Sequence, residues 1–148
     1  MFTGIIENLG KVKSITKKES NLNFQIQSTL TNQLKVDQSI SHNGVCLTVT
    51  KINSNNYEVT AIEETIKKTN LGNLNIGSVI NLERAMKIDQ LLDGHIVQGH
   101  IDQTGECSQV KTQNGSWIYT FEYDNSKKNI TIEKGSIAVN GVSLTVLD

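Results

Sequence analysis

The phrase Ser39–Val49 (SISHNGVCLTV) returns as Ser136–Val146 (SIAVNGVSLTV), identical at eight of eleven positions. At roughly a 6% chance match per position, an unrelated pair of this length shares fewer than one residue. The chain therefore carries an internal duplication, and whatever one copy folds into, the other must be able to fold into as well. The alignment extends to the N-terminus, where MFTGIIENLG meets Ile96–Gly105 (IVQGHIDQTG): Gly4, Ile6 and Gly10 recur, and Glu7 meets Asp102. The offset is 95 at Gly10 and Gly105 but 97 at Asn43 and Asn140, which puts two extra residues in a loop between them. Solenoid units repeat every 20 to 50 residues or so, so a period this long makes each copy domain-sized.

The first copy takes residues 1–95 and leaves 96–148 for the second. Nothing in the second copy matches the first copy beyond Thr50, including Tyr57–Ala61 and the TNLGNLNIGSVINLE segment. Only the N-terminal part of a second domain is expected here, with unpaired strand edges and half a core, both liabilities. Either the chain is a fragment or another chain completes it.

With 36% hydrophobic and 20% charged residues the chain is globular, and a net charge of -1 with no polybasic face argues against nucleic acid as a partner. Neither a signal-peptide pattern nor an apolar run of membrane-spanning length is present, so a cytoplasmic protein with no membrane partner is expected. Cys46 and Cys107 fall in different copies with no CxxC or Cys/His spacing, which argues against a disulfide framework or a metal site.

Short β-prone runs dominate: Phe2–Ile6, Gly10–Thr16, Leu22–Gln27, Ser39–His42, Cys46–Ile52, Tyr57–Ala61 and Ser78–Glu83. Asn43-Gly44 and Asn140-Gly141 sit between such runs as hairpin turns. Six or so strands in a domain this size suggest a small closed barrel, which leaves no sheet edges. One helix interrupts them. Thr60–Glu63 reads as a capping box, Glu63/Lys67 and Glu64/Lys68 are i,i+4 pairs, and Gly72 can follow the helix end. On packing grounds this helix plugs a barrel end. A second helical turn is expected near Leu30–Leu34.

The N-terminal MFTGIIE, the NGVCLTV phrase, the TNLGNLNIGSVINLERA segment and the GHIVQGHID junction resemble, in order and spacing, the riboflavin synthases of the alpha-chain type. That resemblance covers the whole chain and implies an all-β fold of tandem six-stranded Greek-key closed barrels, the second incomplete here. It implies a homotrimer with active sites between subunits, association with lumazine synthase, and the dismutation of two 6,7-dimethyl-8-ribityllumazine molecules. One molecule gives a four-carbon unit to the other, yielding riboflavin and a pyrimidinedione. No cofactor or metal is implied, because the lumazine ring itself delocalises the carbanion left when its C7 methyl loses a proton. The chain shows no GxGxxG fingerprint and no P-loop. Orientation of two ring systems can contribute about 7–11 kcal/mol, more than one general base supplies.

By the same resemblance, the ring in the first repeat is held by Gly4, Ile5 and Ile6, by Cys46, Leu47 and Thr48, and by Thr60, Ala61, Ile62, Glu63, Glu64 and Thr65. In the second repeat the corresponding residues are Gly99, His100 and Ile101, then Ser143, Leu144 and Thr145, with Lys134 just before the phrase. Glycine lets backbone approach a flat heterocycle, and a threonine hydroxyl can donate or accept beside it. Without the resemblance, turn geometry and strand propensity account for Gly4 and Thr48.

His100 replaces Ile5 of the first copy, and histidine is the side chain best suited to moving protons near neutral pH. Cys46 faces Ser143 across the copies. It reads either as a small buried apolar residue or as a group assisting addition at C7. Ser39 and Ser41 could place a hydroxyl or a water nearby, whereas His42, His95 and Cys107 read as structural or solvent-facing. The competing reading is a lumazine- or riboflavin-binding protein without turnover, like the optical antennae of luminous bacteria. A third possibility is a chain that binds ligand through its first repeat alone.

Overall fold

The computed structural model describes residues Met1 to Asp148. Six strands form a closed antiparallel barrel in the order β1-β2-β5-β4-β3-β6: β1 (Asn8–Lys18), β2 (Asn21–Gln27), β3 (Ser39–His42), β4 (Val45–Asn53), β5 (Asn56–Ala61) and β6 (Val79–Arg84). Period-two alternation turns Val12, Phe24, Ile26, Ile40, Leu47, Val49, Tyr57, Val59, Ile80 and Leu82 inward, and all are buried. Closure pairs β1 with β6 from Asn8↔Leu82 to Lys11↔Val79, so no edge is left open.

The expected turn chemistry is present. Asn43 and Gly44 have φ of 48° and 87°, and Asn140 and Gly141 have 47° and 80°, positive at both positions as a type I′ hairpin turn requires. A 3-10 turn covers Thr31–Gln33, within the expected helical stretch. The helix α1 spans Glu63–Lys68, but the capping box does not form: Ile62 is the N-cap, without a side-chain cap bond. Thr60 is taken by the β2–β5 ladder, opposite Asn23, whose Nδ2 donates to its hydroxyl at 3.3 Å. Gly72 follows the helix at one remove, inside a 3-10 turn over Asn70–Asn73. Ile66 of α1 packs on the barrel core, while Leu71 from the turn is itself part of that core.

Phe2–Ile6 is not a strand of this barrel, which corrects the first of the expected β runs. Gly4 turns left-handed at φ 78°, and the segment leaves the barrel to lie against the second repeat.

That repeat forms two separate hairpins, β7 (Gly105–Gln113) with β8 (Ser116–Tyr123), and β9 (Ser136–Val139) with β10 (Val142–Thr145). They correspond to β1–β4 of the barrel. The 15-residue buried core cluster lies wholly between Val12 and Leu82. Between the hairpins is an open cavity of ≈ 700 Å³ whose lining includes Phe121, Ile132, Ile137 and Val139.

Candidate functional site

Equivalent residues of the two copies meet on a pseudo-two-fold axis. Phe2 and its counterpart Val97 exchange both backbone hydrogen bonds, at 2.7 and 2.9 Å. Gly44 and its counterpart Gly141 press together so closely that a Cβ on either would lie 2.8 or 2.7 Å from the other's amide nitrogen. Away from the axis each N-terminal arm crosses to the opposite repeat: Ser143 N donates to Gly4 O at 2.8 Å, and Cys46 N donates to Gly99 O at 2.9 Å. Both arm glycines are left-handed, with φ of 78° and 85°, and a Cβ on them would sit 2.7 Å from Ser143 Cβ and 2.6 Å from Cys46 Cβ. Glycine is required there for conformation and for clearance alike.

This exchange regroups the expected site residues. The resemblance implied that Gly4, Ile5 and Ile6 share a pocket with Cys46, Leu47 and Thr48. Instead Gly99, His100 and Ile101 dock beside Cys46, and Ile101 packs against the first barrel's core. Gly4, Ile5 and Ile6 lead instead to Ser143, Leu144 and Thr145. The cause is the axis: an arm that pairs with its twin at Phe2 and Val97 is carried past it onto the other copy's strand. The asymmetries between copies therefore sort together, Cys46 with His100 in one half-site and Ser143 with Ile5 in the other.

Strand register divides the remaining strand candidates: Leu47 and Ala61, expected beside the ring, are core residues of the first barrel, and the others lie on its outer face. Ile40 and Leu47 point into the core, so Ser39, Ser41, Cys46 and Thr48 point out. Cross-strand partners are Ser39↔Thr48, Ser41↔Cys46 and Ser41↔Glu83, which lines Cys46, Ser41 and Glu83 in one row. Ser41 is buried in that row, Cys46 is half-buried, and Thr48 and His100 are exposed.

Ile62, Glu63, Glu64 and Thr65 follow β5, with Thr60 and Ala61 still in the strand. Hydrogen bonds from Lys67 to Glu63 and from Lys68 to Glu64 hold both carboxyls below the usual carboxylate range. Lys134 has an exposed side chain 4.0 Å from Glu133, and its backbone N–H donates to Val146 O at 2.9 Å. Asp37 makes the same turn with Val49 in the first copy, so Lys134 occupies a structural turn beyond the end of β10.

His42 is buried as a structural residue, its Nε2 2.8 Å from the Tyr57 hydroxyl, and burial lowers its pKa to about 4. His95 takes the structural one of its two expected roles: its Nδ1 lies 2.7 Å from Ser143 Oγ, and its backbone N–H donates to Thr3 O at 3.0 Å. No repeat-based signal could have found it, because its counterpart would precede Met1. Glu83 and Thr3 were also missed, because Glu83 alternates with Leu82 as an outward polar strand residue does and nothing local marks it as buried.

A barrel with a second, partly formed copy docked through exchanged glycine arms defines a tandem lumazine-binding architecture. The family model described as the lumazine binding domain matches residues 3–85 and again 98–148. Riboflavin synthases resemble the chain along its length. The relative from Actinobacillus pleuropneumoniae is 43% identical over 100% of this chain and 69% of its own length. Those from Bacillus subtilis (strain 168) and Escherichia coli (strain K12) are 40% and 36% identical over 99% of this chain, covering 68% and 70% of their own lengths. The fold matches crystal structures of LumP complexed with riboflavin (TM-score 0.89, 22% identity, 100% of this chain and 81% of that one) and with 6,7-dimethyl-8-(1'-D-ribityl) lumazine (TM-score 0.86, 22% identity, 98% and 79%). The chain belongs to the riboflavin synthase family.

Proposed function

We propose that this chain catalyses the riboflavin synthase reaction, transferring a four-carbon unit between two molecules of 6,7-dimethyl-8-ribityllumazine. The observation that carries the reading is the crossing of the arms: Gly99 O accepts from Cys46 N and Gly4 O accepts from Ser143 N, which brings the segment carrying His100 to Cys46 and the segment carrying Ile5 to Ser143. A reaction with two identical substrates in two different roles calls for two similar cradles with different chemistry.

In this reading His100 moves the C7 methyl proton, Cys46 assists addition at C7, and Ser39 and Ser41 place a hydroxyl or a bound water. Each ring lies against an arm glycine and a Leu-Thr strand, with Thr60, Ala61, Ile62, Glu63, Glu64 and Thr65 closing the first cradle. The dismutation balances its own electrons, so it draws on no redox cofactor or metal. Residues 1–95 and 96–148 form the two repeats. We further place the protein in the cytoplasm, as a homotrimer whose subunits pair unlike half-sites, in association with lumazine synthase. No helix is long and apolar enough to cross a membrane.

The test is incubation with dimethylribityllumazine while riboflavin fluorescence is followed. Riboflavin formation is expected. Tight binding without turnover would convert the reading to that of a ligand carrier.

A further inference from the structure

We propose that Glu83 is the positioning residue of the Ser143 half-site. The inference rests on the reading of that half-site as a lumazine cradle. Glu83 lies on β6 at the barrel's outer face and is 3% exposed. Its Oε1 accepts from Thr3 N at 2.5 Å and from Thr3 Oγ at 2.7 Å, while its Oε2 accepts from Gly4 N at 3.0 Å. It takes part in none of the chain's salt bridges. A carboxyl group out of water and without a cation is satisfied only by hydrogen bonds, and all three of these come from the arm.

The arm in turn holds Ser143 at its amide directly and at its hydroxyl through His95. Gly4 O accepts from Ser143 N at 2.8 Å, and Thr3 O accepts from His95 N at 3.0 Å, which sets the imidazole whose Nδ1 lies 2.7 Å from Ser143 Oγ. Gly94 lets the linker approach that closely, since a Cβ there would fall 2.0 Å from Thr3 O. A side chain of the first barrel thus fixes the backbone and the hydroxyl direction of a residue in the second repeat. Phe2↔Val97 is the arm's one β-bridge and no ladder continues from it, so between Phe2 and Glu7 its register rests on single hydrogen bonds, three of them to Glu83.

The experiment compares Glu83→Gln with the parent chain by residue-resolved amide hydrogen exchange and by titration with dimethylribityllumazine. The glutamine NH2 would face a donor from the arm, so one bond is lost and a donor–donor contact replaces it. Exchange at Thr3 and Gly4 is expected to quicken by roughly a hundredfold and at Ser143 by about tenfold, with Phe24 and Val59 in the barrel unchanged. Lumazine affinity falls about tenfold at the Ser143 half-site and holds at the Cys46 half-site. In a Ser143→Ala background Glu83→Gln costs that affinity less than it does in the parent, because the hydroxyl part of the coupling is already gone while the amide bond to Gly4 O remains.

Thr3→Val, which removes one hydroxyl and keeps the carboxylate, moves the same readouts by about threefold and serves if Glu83→Gln does not fold. Unchanged Ser143 exchange in the variant, or an equal affinity loss at both half-sites, overturns the positioning role. A parent chain that binds no lumazine overturns the functional reading instead.

Discussion

Gly99→Ala tests the exchanged-arm geometry at its tightest point. An alanine at φ 85° stands in the left-handed region, which costs an L-residue about 1–2 kcal/mol. Its methyl would also lie 2.6 Å from Cys46 Cβ and 2.9 Å from Phe2 Cε2, and the second of these is part of a ring held fully buried on the axis. Forcing such contacts apart adds about 1–3 kcal/mol, for a total near 2–5 kcal/mol. Gly115→Ala is the internal control: φ is 90° but nothing lies within 4 Å of the new methyl, so only the conformational cost applies. The assay is hydrogen exchange at the Cys46 amide, which donates to Gly99 O at 2.9 Å. A loss at the low end of the range speeds that amide's exchange about thirtyfold. Gly115→Ala leaves it unchanged and shows its loss only in global urea unfolding. If Gly99→Ala leaves Cys46 protected, the second repeat's arm does not cross onto β4, and the half-site grouping is wrong.

Acid should weaken the barrel from inside. His42 has a pKa of about 4 in the folded chain against 6.5 when exposed, so between those values the unfolded chain binds the proton and the native chain does not. Stability is whole above pH 6.5 and falls as pH drops toward 4, by about 3 kcal/mol from this group; urea midpoints across that range measure it, and a flat profile would remove the buried neutral imidazole. His100→Ala should lower turnover by about a hundredfold or more while changing lumazine affinity little, and equal losses in both quantities would end its assignment to proton transfer.

The barrel was legible because its signals are local. Alternation marked β2, β3, β4, β5 and β6 within a residue or two of their observed ends, and Asn43-Gly44 and Asn140-Gly141 specified their turn type outright. Phe2–Ile6 misled for the complementary reason: an apolar run states that a segment is buried and extended, not against which surface. Thr60 carried two valid local signals, cap and strand, and the ladder with β2 prevailed because its neighbours Val59 and Ala61 are core residues. The resemblance named candidate site residues one by one, but how the fold groups them was not legible. Pairing across a symmetry axis is a long-range property, and chain order is a poor guide to it.

The exchange of arms also explains how a duplicated chain can depart from equivalence at little structural cost. Had each arm folded onto its own barrel, changing Ile5 and Cys46 in one copy would have altered a single self-contained pocket. Because the arms cross, each half-site draws one wall from each copy, and substitutions in the two copies combine in two unlike ways. The segment carrying His100 reaches Cys46 through Gly99, and the segment carrying Ile5 reaches Ser143 through Gly4. The crossing is held by backbone contacts, Phe2 with Val97 and Gly44 with Gly141 on the axis and the Cys46 and Ser143 amides beside it, and backbone contacts do not depend on which small side chain stands at 46 or 143. The axis is therefore free to stay symmetric while the chemistry on either side of it diverges, and a swap variant isolates that separation. Exchanging Ile5 with His100 should leave the Phe2 and Val97 amides as protected as before and bring the histidine beside Ser143, stripping Cys46 of its partner. Loss of protection at Phe2 and Val97 in that variant would show that the scaffold and the chemistry are not separable.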